Sequence, residues 1–136
     1  MWRSGITRRR RHTALIEMVE QAERTGDYTA PWRATPHVWE FFRDEAEILR
    51  QLQHDWRTAL AGAVYVAIDS GDGDLQGDVT QAFRRIKSRY SGTRAILEAN
   101  ADHPAIAGAM RKERALLSCV IGALTVTDSR AAHRAA

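Results

Sequence analysis

"PHVWEFFRDEAEILRQLQHDWRTALAGAVYVAID", residues 36–69, decides the fold. After Pro36 the stretch has no further proline, and Gly62 is its only glycine. Thr35 is suited to cap a helix and Pro36 to occupy its first position, where the missing N–H costs nothing. The sequence therefore predicts one helix over about 36–69, roughly 50 Å long at 1.5 Å per residue. Phe42, Glu45, Leu49, Leu52, Trp56, Ala59, Ala63 and Val66 fall at alternating three- and four-residue steps. That spacing makes an apolar stripe with a single polar member, Glu45.

Shorter helices flank it. Leu15, Met18, Val19 and Ala22 share one side of a helix expected over about 13–24, which Gly26 ends. Asp78 with Gln81 has the spacing of a capping box for a third helix, about 79–101, with Val79, Phe83, Ile86, Tyr90 and Leu97 inward and a kink at Ser91-Gly92. Pro104 opens a fourth, with Ile106, Met110, Glu113, Leu117, Val120 and Leu124 facing in. Strand-like alternation is missing. The expected fold is all-α: an antiparallel three- to four-helix bundle built on one long helix, with a mobile basic N-terminal arm. The arm covers residues 1–11, the helical domain 12–126, and a tail that extends the helix or is disordered covers 127–136.

A chain of 136 residues, 44% hydrophobic and 27% charged, suits one globular domain able to bury a core without staples. The net charge of +3 is unevenly distributed. Arg3, Arg8, Arg9, Arg10 and Arg11 open the chain without an acid, and "FRRIKSRYSGTR", residues 83–94, adds five bases. Four aspartates crowd "DSGDGDLQGD", residues 69–78. Such polarity favours a polyanionic partner at one pole. Flexible arginine arms and basic helix faces neutralise phosphates, so DNA or RNA is a candidate ligand for Arg3, Arg8, Arg9, Arg10, Arg11, Arg84, Arg85, Lys87 and Arg89. Nothing in the spacing matches a base-reading motif. On a helical wheel Phe83, Ile86 and Tyr90 point inward while Arg84, Arg85 and Arg89 point away, so the aromatics belong to the core rather than to a base-stacking platform.

Two features resemble metal sites and fall short. "DGDLQG" from Asp72 matches the first half of a calcium-binding loop, but Phe83 stands where a bidentate glutamate belongs. Glu45 and Glu113 face inward at one level, yet Ile48 and Leu116 stand three residues on, where a di-iron bundle needs histidine. Arg94, at the same level on the third helix, gives the alternative: a buried ionic cluster of Glu45, Arg94 and Glu113 that fixes register. No metal, cofactor or catalytic residue is expected.

Cys119, the only cysteine, lies in an apolar run and is expected as a packed thiol in a reducing, cytoplasmic setting. Glu17 and Glu20 interrupt any signal-peptide pattern, and neither "ALAGAVYVAI" (59–68) nor residues 115–126 reaches membrane-spanning length. These two runs, the distal ends of the second and fourth helices, are apolar around most of the helix. The function expected from them is that of a non-enzymatic helical interaction module, self-associating as a homo-oligomer or docking on a protein partner. The alternative is a nucleic-acid-binding accessory protein.

Overall fold

The computed structural model describes residues 2–71 and 73–119, with the side chains of Trp2 and Arg3 excepted. Every regular element among the described residues is helical. Helix α1 runs Trp2–Thr25, α2 Glu45–Ser70, α3 Leu75–Arg89 and α4 Ser91–Ala99. A last helical segment, α5, covers 107–119.

Helix α1 ends as its sequence predicts. Gly26 adopts φ 75°, and its N–H donates to the carbonyl of Ala22 at 2.8 Å, closing the last turn with a left-handed residue. Its start differs from expectation. The backbone is already helical at residue 2, so Arg8, Arg9, Arg10 and Arg11 ride on α1 rather than on an irregular arm. Straight-chain arginines are good helix formers, and no proline stands before Pro31. Ala14, Leu15, Met18 and Ala22 form the buried face of α1.

The long helix also starts later than expected. Pro31–Ala34 and Pro36–Glu40 are two 3₁₀ turns, and the Thr35 side chain makes no cap hydrogen bond. The second turn nonetheless buries Val38 completely, and Phe42 follows it into the core. Helix α2 is capped by Asp44, whose Oδ1 accepts from the N–H of Glu47 at 2.9 Å; Glu47 Oε2 in turn accepts from the N–H of Arg43 at 3.0 Å. This reciprocal arrangement is a variant of the capping box, and its Asp-x-x-Glu signature stands in the sequence.

Asp74 rather than Asp78 caps α3, accepting from the N–H of Gly77 at 3.1 Å. The helix thus begins inside the stretch resembling a calcium loop, leaving no twelve-residue loop between helices. α2 and α3 form a tight antiparallel hairpin in which the rings of Trp56 and Phe83 meet edge to face, 6.1 Å apart at 85°. Tyr90 breaks the expected single third helix into α3 and α4, one residue before the expected kink.

The core forms where α1, the second 3₁₀ turn, α2, α4 and the start of α5 converge. Met18, Val38, Ile48, Leu49, Trp56, Ile96 and Leu97 are fully enclosed, with Leu52, Ile106 and Met110 around them. Each large side chain buried here contributes on the order of 2 kcal/mol through the apolar surface removed from water. Contacts between His103 and Glu45 and between Glu113 and Trp56 show that α5 rises alongside α2 in the same direction.

Candidate functional site

Burial changes along α2. Up to Trp56 its apolar stripe is enclosed; from Ala59 onward no residue is fully buried. Tyr65 is 71% exposed, Val66 59% and Ile68 58%, while Leu75 at the start of α3 and Leu116 on α5 are 54% and 70% exposed. The segment between Arg57 and Asp69 contains no charge. α3 reaches one side of this segment with Val79 only half-buried, so a largely uncharged helix end meets solvent. Single exposed leucines are ordinary, but neighbouring large apolar side chains on a hairpin end are the usual mark of a contact surface.

Below that end lies the polar centre of the molecule. Arg94 and Glu113, with side chains 12% and 13% exposed, form an ion pair. Glu113 also accepts from the indole N–H of Trp56, and the Arg94 guanidinium lies over the Trp56 ring at 5.0 Å. Arg94 Nε donates to Glu98 at 2.9 Å. Each polar group has a partner, as burial requires. Such a cluster locks α2, α4 and α5 in register.

Glu45 does not join this cluster. Its side chain is 51% exposed and its nearest basic partner is His103, 3.6 Å away. The reason lies at the start of α2: with Asp44 as cap, Glu45 is the first helical residue, where an acid complements the helix dipole and faces water. Trp56 and Glu98 are the partners that counting levels along helices missed. Trp56, in the stripe three turns beyond Glu45, was the available signal, because a buried indole N–H needs an acceptor.

The basic residues divide into several settings. Arg84, Arg85, Lys87 and Arg89 are exposed along α3, and Arg8, Arg9 and Arg10 along α1. Arg10 lies over the ring of Phe41 at 5.8 Å. Arg11 is drawn inward: its guanidinium lies 4.4 Å from the ring centroid of Phe42, it pairs with Glu47 at 3.2 Å, and its Nε is buried without a hydrogen-bond partner among the described residues. Arg11 is thus occupied in joining α1 to α2, which removes it from a free phosphate-binding set. The side chain of Arg3 and the whole of Asp72 lie outside the described residues, as do Val120 and Leu124. Cys119 is exposed rather than packed.

Two clefts separate α1 from α2 and meet at His12, Leu15 and Asp55. One, of about 630 Å³, is lined by Arg8, Arg9, Arg11 and Phe42 among others. The other, of about 500 Å³, is lined by Ile16, Val19, Glu20, Glu23, Ala59 and Tyr90. No described helix is long and apolar enough to cross a membrane. Against this geometry, comparison of the chain with protein-family models, with characterised proteins and with solved structures gives no match.

Proposed function

We propose that the chain is a non-enzymatic helical interaction module that self-associates through the distal end of the α2–α3 hairpin and the adjoining flank of α5. On this reading α3 runs antiparallel to both α2 and α5 in a three-helix bundle, closed near Trp56 and open beyond it. The carrying observation is the exposure of Tyr65, Val66, Ile68 and Leu75 toward the distal end of the hairpin, with Leu116 exposed on α5 one turn beyond the level of Trp56.

A second copy is the occupant that the charges favour. Asp69, Asp74 and Asp78 sit at the hairpin's tip, and Arg84, Arg85, Lys87 and Arg89 about 15 Å farther down α3, at 1.5 Å per residue. Two hairpins laid antiparallel set each acidic tip beside the other's basic stretch while burying the apolar residues between them. Charge complementarity of this kind fixes orientation more than affinity. Sedimentation velocity across a concentration series tests the proposal. The unaltered chain should associate, and Val66→Glu with Ile68→Glu should lower its assembly mass. Identical sedimentation of the two proteins at every concentration rules the surface out.

A second reading rests on the exposure of four bases on α3 together with Arg8, Arg9 and Arg10 on α1. Binding of DNA or RNA through them would weaken steeply with salt, whereas apolar association would not. An electrophoretic shift at two salt concentrations separates the two; no retardation at low salt eliminates the nucleic-acid reading.

A further inference from the structure

We infer that α1 carries a second, self-complementary contact surface, on which the α1 of another copy lies antiparallel about a two-fold axis passing Ile16. The face concerned is the one that α1 turns toward the two clefts. Along it stand Arg9, His12, Ile16, Val19 or Glu20, and Glu23, at three- and four-residue steps over about 21 Å of helix. Residues at these steps share one side of a helix.

The order of charge along this face is what selects its occupant. Bases fill its first half and acids its second, with apolar side chains between them. In an antiparallel pair centred on Ile16, Arg9 of one copy stands opposite Glu23 of the other, and His12 opposite Glu20. Ile16 stands opposite itself. The same residues meet twice, once in each direction, as an isologous contact requires. A parallel pairing would set base against base and acid against acid, so the pattern excludes it.

The side chains are available for this role. Arg9, His12, Glu20 and Glu23 are exposed and form no ion pair among the described residues. Ile16 is 43% exposed although Leu15 beside it is buried. At its far end α1 lies close against α4, where the Glu23 side chain runs over Gly92: a Cβ added there would sit 2.2 Å from Glu23 Oε1. That contact holds the acidic half of the face against the domain, though Glu23 as a residue is exposed. Asp55 and Arg89, from the opposite walls of the clefts, are charges outside the pattern, as are Arg8 and Arg11 on α1 itself. Asp55 and Arg89 are each of the sign opposite to the nearer half of α1, and therefore of the same sign as the half of the incoming helix laid there. Both oppose the pair, and the four cross-axis contacts of Arg9 with Glu23 and His12 with Glu20 must outweigh them.

The surface is distinct from the apolar hairpin end, and its test is independent of that reading. Cysteine placed at Ile16, with Cys119→Ser removing the native thiol, should yield a disulfide-linked dimer on mild oxidation. Thr25→Cys, at the exposed end of α1 and far from the axis, should yield little. The pair is made in chains also carrying Val66→Glu and Ile68→Glu, so that loss of the hairpin contact leaves this readout intact. Charge reversal supplies the second measurement. Arg9→Glu alone and Glu20→Arg with Glu23→Arg should each weaken self-association roughly tenfold, the scale of one good charge contact. Mixing the two variants should restore it. Equal crosslinking at Ile16→Cys and Thr25→Cys, or a mixture that associates no better than its components, overturns the inference.

Discussion

The second half of α2, residues 58–70, is the more apolar, with nine hydrophobic residues against five in residues 45–57, yet it is the less covered. Ile48, Leu49, Leu52 and Trp56 in the first half share one buried cluster with residues of α1, α4 and the turn at Val38, and water reaches none of them appreciably. Tyr65, Val66 and Ile68 in the second half have α3 on one side and solvent on much of the rest. Apolar character makes burial favourable, but the covering elements must be long enough to supply it. α4 begins only at Ser91 and α1 ends at Thr25, and the buried residues of both join the cluster around the first half. The second half is left with an unused capacity for contact, which is why the proposed function is placed there.

The largest expected effect lies at the boundary between the halves. Trp56→Ala removes a fully enclosed ring that packs on Phe83 and supports the Arg94–Glu113 pair. It should cost about 4 kcal/mol in a denaturant titration, the range for deleting a large buried side chain. A cost near that of a surface substitution would mean that the two halves do not differ.

Arg94→Ala leaves Glu113 mostly enclosed with only the indole as partner. It should destabilise by about 3 kcal/mol, the scale for breaking a buried ion pair. A loss below about 0.5 kcal/mol, typical of surface sites, would make the cluster a surface feature. Asp44→Ala strips the cap from the buried half and should cost about 1 kcal/mol. Pro36→Ala provides the contrast, since Pro36 opens only a 3₁₀ turn; hydrogen exchange should show the α2 amides weakened by the first change and not by the second.

The smallest expected effect is at the exposed half. Ile68→Ala should alter the stability of the dissociated chain by less than about 0.5 kcal/mol, as for surface positions generally. The same substitution should weaken association. If it destabilised the dissociated chain as much as Leu49→Ala, which should cost about 3 kcal/mol, the apparent surface would be core.

Much of this was legible in the sequence. The three- and four-residue spacing of Leu49, Leu52 and Trp56, and of Leu15, Met18 and Ala22, marks helical faces that the structure buries. Gly26 marks a helix end and Ser91-Gly92 stands beside a break. The ends of the other helices were harder to read because caps compete. Thr35-Pro36 and Asp44-x-x-Glu47 both signal a start, and the proline's rigid geometry gave a 3₁₀ turn while the carboxylate gave the helix. Asp74 and Asp78 competed in the same way. Of the polar residues on inward stripes, Arg94 and Glu113 meet, whereas Glu45 faces water: a shift of the helix start exchanges a core position for a first-turn position.

What the sequence by itself determined is therefore local: that the chain is helical, which residues share a face, and where charge accumulates, because each follows from spacing within a few turns. Only the tertiary structure decided which apolar faces are covered, that Trp56 rather than Glu45 completes the polar centre, and that Arg11 is spent on Phe42 and Glu47 while Arg8 and Arg9 face a cleft. Those outcomes depend on where neighbouring helices begin and end, and burial is a property of the neighbours as much as of the residue itself.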